Sequence, residues 1–196
     1  VSASDDTTSS STSTSKDSTR PLAVIESDAK SVEKSVAALQ ETGDKSLFNE
    51  VTKTDENGNK TTGYDTDAIY KAVKNFTDSY NSLIDEVGNS NTKSILRAGA
   101  SMVNVTEANR KSLSDIGISI GADNKLTIDE EKFKKTDMSK VKAMFADSSY
   151  YGTEVKRQAG RAESYAKSEA AKANTYQKSG SYTYNYRTGE LYNSTI

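Results

Sequence analysis

Apolar positions along this chain change period four times. From Val24 onward, Ile25, Ala29, Val32, Val36 and Leu39 recur at spacings of four and three, which predicts one stripe of a helix ending near Gly43. Residues 48–64 lose that period and gather Thr, Asn and Gly around Asp55-Glu56-Asn57-Gly58-Asn59. Asn-Gly suits a turn in which both central residues take positive φ, so a small hairpin is expected there, followed by Asp65 or Thr66 as a helix cap. Ile69, Val73, Phe76, Tyr80, Leu83 and Val87 then form a sustained a/d seam that stops at Gly88. At this length such a seam predicts the core of an intramolecular bundle more readily than an oligomer seam.

The second half is more varied. Ile95, Leu96, Met102 and Val103 predict a helix over 92–109, which Gly99 weakens by up to about 1 kcal/mol relative to Ala. Ile116, Ile118 and Ile120 alternate, Gly121-Ala122-Asp123-Asn124-Lys125 supplies a turn, and Leu126 and Ile128 alternate again: a β-hairpin with one apolar face. Asp129 caps a short helix carrying Phe133, and Val141, Met144 and Phe145 mark another. A last helix from about Tyr151 to Tyr176 carries Val155, Ala159, Ala162, Ala166, Ala170 and Ala173. Alanine favours helix but buries little, so this helix either packs very closely on a neighbour or orders on assembly.

The ends differ from this middle. Ser and Thr occupy 13 of the first 20 positions, and too little apolar surface is present there to offset ordering entropy. The tail alternates Tyr182, Tyr184 and Tyr186, with Tyr192 beyond a Thr-Gly turn, as in an edge strand or hairpin able to pair with another surface. The expected fold is therefore mainly α: a helical bundle over 22–176 with one or two small β-hairpins, a disordered Ser/Thr-rich linker over 1–21 and a Tyr-rich tail over 177–196.

Composition narrows the function. His, Cys and Trp are absent, which removes disulfides, Cys/His zinc sites, imidazole bases and Ser-His or Cys-His nucleophile pairs. The acidic turns do not repair this loss. Asp55–Asn59 carries its Gly at the fourth position instead of the sixth, and Asp123–Asp129 places Lys125 and Ile128 where a calcium loop needs oxygens. Gly117 and Gly121 lie in the hairpin, not in a phosphate loop ahead of a helix. No catalytic, cofactor or metal-ligating residue is expected, nor a small-molecule substrate. With 26 basic against 28 acidic residues, the net charge of −2 offers no field for nucleic acid. No apolar run approaches a membrane span.

Two segments resemble a known family. AVKNFTDSYNSLI from Ala72 resembles a helix in the C-terminal region of flagellar hook-associated protein 2, the filament-cap family. SLSDIGISIGADNKLTIDEEKF from Ser112, with VKAMF at Val141–Phe145, resembles that family's Ile-Gly-Ile, turn, Lys-Leu, aliphatic-Asp pattern ahead of a helix. The resemblance spans roughly residues 48–146. It implies an extracellular structural protein of the bacterial flagellum without catalysis, whose partners are flagellin-type axial subunits or itself. Carried onto this sequence, it implies core roles for Phe76, Tyr80, Leu113, Ile116, Ile118, Leu126, Ile128 and Phe145. Gly117 becomes a close-approach or turn position, Asp129 a helix cap, and Asn81 a hydrogen-bonding partner of a neighbouring loop. The composition also fits a secreted adhesion module on a Ser/Thr-rich tether, with Tyr182, Tyr184, Tyr186 and Tyr192 as its partner surface.

Overall fold

A computed structural model of the chain describes residues 15–54, 56–146 and 149–173. Its elements in order are α1 (Thr19–Leu39), a 3-10 turn (Gly43–Lys45), β1 (Glu50–Thr54), β2 (Lys60–Tyr64), α2 (Thr66–Gly88), α3 (Lys93–Ala108), α4 (Arg110–Asp115), β3 (Ile118–Ile120), β4 (Leu126–Ile128), α5 (Glu130–Lys135), α6 (Met138–Phe145) and α7 (Tyr150–Ala173). The architecture is mainly helical, with two separate two-stranded antiparallel sheets. Helices α1, α2, α3 and α7 form a closed ring: α1 packs on α2 and α7, and α3 packs on α7 and α2.

The ring exists because each helix presents a stripe. Ile69, Val73, Phe76, Tyr80, Leu83 and Val87 of α2 are all buried, as are Leu22, Ile25, Ala29, Val32, Val36 and Leu39 of α1. Asp65 caps α2 by accepting a hydrogen bond from the Ala68 amide at 3.3 Å, which satisfies one of the orphan N–H groups of the first turn. Gly99 in α3 has a packing reason: a Cβ there would lie 2.6 Å from Val87 Cγ2, so the glycine sets how closely α3 approaches α2.

Aromatic rings fill the middle. Phe76 meets Phe145 edge-on at 5.2 Å and Tyr151 at 6.1 Å, and Phe145 meets Tyr151 at 5.7 Å. Edge-to-face pairs of this kind add about 0.5–1.5 kcal/mol each beyond the area they bury. They connect α2, α6 and the first turn of α7.

The alanine helix packs closely. Val155, Ala159, Ala162 and Ala166 are buried. Where α7 crosses Glu33 of α1, Gly160 leaves only 3.2 Å between a would-be Cβ and the Glu33 carboxylate. The two helices run antiparallel, since Gln40 Nε2 donates to Thr153 Oγ1 at one end (3.1 Å) and Lys167 reaches Glu26 at 3.9 Å further along. Lys30 pairs with Glu26 at 2.6 Å and with Glu163 at 3.7 Å, while Lys167 pairs with Glu163 at 2.5 Å. This cross-linked set of charges supplies register where small side chains supply little.

Four boundaries differ from the sequence reading. α1 begins at Thr19, inside the segment expected to be linker, because Pro21 sits in the first turn, where a missing N–H costs nothing. α1 also ends at Leu39, and Gly43, at φ +63°, opens a separate 3-10 turn instead of closing the helix. In the first hairpin Thr54 pairs with Lys60, so the ladder closes well outside the Asn57-Gly58 pair; among the described residues Gly58 takes positive φ and Asn57 does not. The longer loop relieves the two-residue turn requirement that Asn-Gly suggested. α4 was hidden because its six residues carry a single buried apolar side chain, Leu113.

Candidate functional site

The β3–β4 hairpin is the most heavily anchored small element. Ile118, Ile120 and Leu126 are buried, and Ile128 packs partly buried against the core. Gly121 N–H donates to Lys125 O at 2.8 Å and Asp129 N–H to Gly117 O at 2.8 Å. Between those bonds the amide and carbonyl of Leu126 face outward, and Asn81 of α2 meets both: Leu126 N–H donates to Asn81 Oδ1 at 2.7 Å, and Asn81 Nδ2 donates to Leu126 O at 2.8 Å. The side-chain amide thus stands in for a third strand. On the other strand, Ile120 O accepts from Arg110 at 3.2 Å. Asn124, at φ +63°, completes the turn, whose Asn124 N–H donates to Gly121 O.

Gly117 enters this hairpin at φ +86°, and a Cβ there would stand 2.9 Å from Phe133 N and 3.2 Å from Asp129 O. Both the backbone conformation and the contact with backbone atoms of α5 therefore select glycine. Asp129 caps α5 by accepting from Lys132 N–H at 3.0 Å, and Lys132 Nζ returns to Ser114 O at 2.6 Å. Leu113, Ile116, Gly117, Ile118, Leu126, Ile128 and Asp129 thus form one knot on α2, while Phe76, Tyr80 and Phe145 form the aromatic centre. These are two neighbouring packing units, and Asp129 of the first borders an open surface hollow with Glu131, Lys132, Lys135 and Thr136.

Tyr80 and Tyr151 bury their hydroxyls beside Thr106. The Thr106 Oγ1 and Tyr151 oxygen lie 3.4 Å apart, and among the described residues the Tyr80 hydroxyl makes no hydrogen bond. Burial pushes the Tyr80 phenol up to about 12 and raises that of Tyr151 as well, where the neighbouring Thr106 hydroxyl pulls weakly the other way. Both stay neutral at physiological pH, as core groups.

A polar anchor that the sequence reading assigned to the linker ties the start of α1 to the α2–α3 connection. Asp17 Oδ2 accepts from Ser90 Oγ and Thr92 Oγ1 at 2.6 Å each, and Oδ1 accepts from the Asn91 amide at 2.7 Å and Asn91 Nδ2 at 3.0 Å. Burial alone would raise its pKa, but the hydrogen bonds outweigh burial and lower it to about 2. The signal that could have found this anchor is Asp-Ser-Thr just ahead of a first-turn proline, a helix-entry pattern.

The surface falls into two kinds. Between α2 and α3, Ile84, Val87, Leu96, Gly99, Ala100 and Val103 line a shallow groove closed at one end by Asp123 and Asn124 of the β3–β4 turn. The β1–β2 hairpin instead projects with both strands almost wholly exposed. Among the described residues, no group of three His, Cys, Asp or Glu side chains is placed to hold a metal, and no helix is long and apolar enough to cross a membrane. Tyr182, Tyr184, Tyr186 and Tyr192 lie outside the described residues.

Comparison with known proteins gives one match. The model of a family described as flagellar hook-associated protein 2 C-terminus matches residues 88–195. Neither the curated proteins nor the solved structures gave a match.

Proposed function

Because the chain belongs to the flagellar hook-associated protein 2 C-terminus family, we propose that it is a filament-cap-like assembly protein of the bacterial flagellum, working outside the cell through contacts with flagellin-type axial subunits or with itself. The family is one of structural flagellar proteins, not of enzymes. The observation that carries the reading is the match over residues 88–195, which includes the α3-to-α7 half of the bundle and runs on into the tyrosine-rich tail. The chemistry supports it: the buried polar groups described above serve packing, and the exposed ones are ordinary solvated charges. In this reading the β3–β4 knot keeps the domain rigid, and Tyr182, Tyr184, Tyr186 and Tyr192 belong to a partner surface, because amphipathic rings suit protein interfaces.

Antibody labelling of intact cells tests the proposal. Label concentrated at the distal ends of filaments, and filament assembly impaired when the gene is deleted, are the expected results. Label spread over the cell body with normal filaments would overturn the proposal and favour an adhesion module.

A further inference from the structure

α3 packs more extensively on α7 than on α2, and where α2 and α3 diverge on the outside of the bundle they leave the groove described above. Ile84, Val87 and Gly99 in its lining are buried, Val103 is partly buried and Ala100 is exposed. Leu96 stands at the end nearer the α2–α3 connection, 39% exposed. A lone surface leucine is ordinary, but a leucine beside an apolar hollow leaves both wet. From Leu96 to Asn104 the groove follows α3 for about 12 Å, the length of roughly two helical turns.

The outward face of α3 suits a second copy of itself. Lys93, Leu96 and Arg97 lie three to seven positions before Ala100, and Val103, Asn104 and Glu107 lie three to seven positions after it, all on one side of the helix. The two ends differ in charge. Lys93 and Arg97 are exposed and enter no ion pair among the described residues. At the other end the β3–β4 turn presents the exposed carboxylate of Asp123, one oxygen of which accepts from the Lys125 amide at 3.2 Å. A two-fold axis through Ala100 lays α3 antiparallel on its copy, with the small alanine at the crossing letting the helices approach closely. Leu96 of each copy then comes over Val103 and Asn104 of the other, and each cationic end over the end that carries Asp123. Apolar knob meets apolar hollow and cation meets carboxylate twice, once on each side of the axis. Such self-complementarity is the requirement for an interface in which both copies use the same patch.

We propose that the α2–α3 groove is a two-fold self-association surface, in which Leu96 of each copy seats against Ile84 and Val103 of the other and Arg97 meets Asp123 across the axis. The contact closes at two copies and leaves the rest of each surface free for other subunits. It rests on the assembly reading only in so far as that reading includes contacts of the chain with itself.

Variants of the full chain test it. Sedimentation velocity of the unmodified chain should show a concentration-dependent monomer–dimer equilibrium with no longer species. Leu96→Glu changes an exposed residue, so the fold is kept, and should weaken pairing at least roughly tenfold. Arg97→Glu and Asp123→Lys should each weaken pairing alone, while an equimolar mixture of the two should restore it as a mixed dimer, because opposite charges again face each other on both sides of the axis. The chain has no cysteine, so Ala100→Cys should give a disulfide-linked dimer under mild oxidation, whereas Ser31→Cys, exposed on α1, should not. An unmodified chain monomeric at every concentration, growth beyond dimers, a Leu96→Glu chain that pairs normally, a charge-swapped mixture without dimer, or Ala100→Cys no better linked than Ser31→Cys would each overturn the inference. So would a monomeric chain whose Leu96–Val103 amides are protected from exchange by purified flagellin, which would give the groove to that subunit. Filament-tip labelling with a monomeric chain would sink the two-fold contact and leave the assembly reading standing; pairing without tip labelling would do the reverse.

Discussion

β1 and β2 pair over five residues each, β3 and β4 over three, yet the shorter hairpin is buried and the longer one stands in solvent. The contrast separates what a ladder contributes from what its surroundings contribute. β3–β4 has isoleucines and a leucine facing the core, a glycine fitted against α5, and Asn81 completing its outer hydrogen bonds. β1–β2 has Thr and Lys on both faces, and its side-chain links, Thr52 to Thr62 at 3.1 Å and Lys53 to Asp65 at 3.1 Å, are exposed. The larger part of a small hairpin's stability comes from the body it packs on.

The contrast breaks most severely at Gly117. Gly117→Ala should destabilise the domain by about 3 kcal/mol, lowering the melting temperature by roughly 10 °C, because the added Cβ meets backbone and the φ is unfavourable. A thermal melt within a degree or two of the parent would refute the fitted-glycine account. Asn81→Leu removes both hydrogen bonds to Leu126 and should cost about 2 kcal/mol in urea unfolding; a neutral result would mean that solvent replaces them freely.

Asp17 does for the α2–α3 connection what Asn81 does for β4, and pH distinguishes the two. The Asp17 carboxyl titrates at about 2 in the folded chain, below its ordinary range, so its contribution of about 2 kcal/mol is complete above pH ~4 and is lost as pH falls toward ~2. Asp17→Asn should flatten that acid limb of the stability curve, whereas Asn81→Leu should lower the curve without changing its slope. An unchanged acid limb in Asp17→Asn would remove the anchor from the account. At the small end, Thr52→Ala or Thr62→Ala in the exposed hairpin should change global stability by less than about 0.5 kcal/mol. A loss above 1 kcal/mol in chemical denaturation would show that β1–β2 is coupled to the bundle after all.

Legibility in the sequence followed burial. The α2 seam and the alternating isoleucines of β3 were readable because one side of each element is dry, which forces a period onto the residues. Asp129 and Asp65 were readable as caps for a similar reason, since helix starts constrain the residue type. Asp17 was not, because it lies in a run of Ser and Thr whose composition matches solvent-exposed chain, and its partners are more than seventy positions away. Gly99 read as a defect in helix propensity, since sequence records the entropy cost of glycine but not the Val87 side chain that needs the room. The projection of β1–β2 was also hidden, because polar residues on both faces fit a hairpin and a loop equally well.

The position of Asp17 also gives the domain a usable asymmetry. Residue 15 is held near the α2–α3 connection, and Ala173 ends beside the first turn of α1, so both described ends of the bundle lie at the same pole. A short flexible joint between them, with new ends opened in the 55–59 loop, would give a circular permutant that keeps every helix contact and cuts only the element that bears least on stability. Two fluorophores placed near residues 15 and 173 would sit within short transfer distance in the folded chain, while one moved to the hairpin would be a bundle length away.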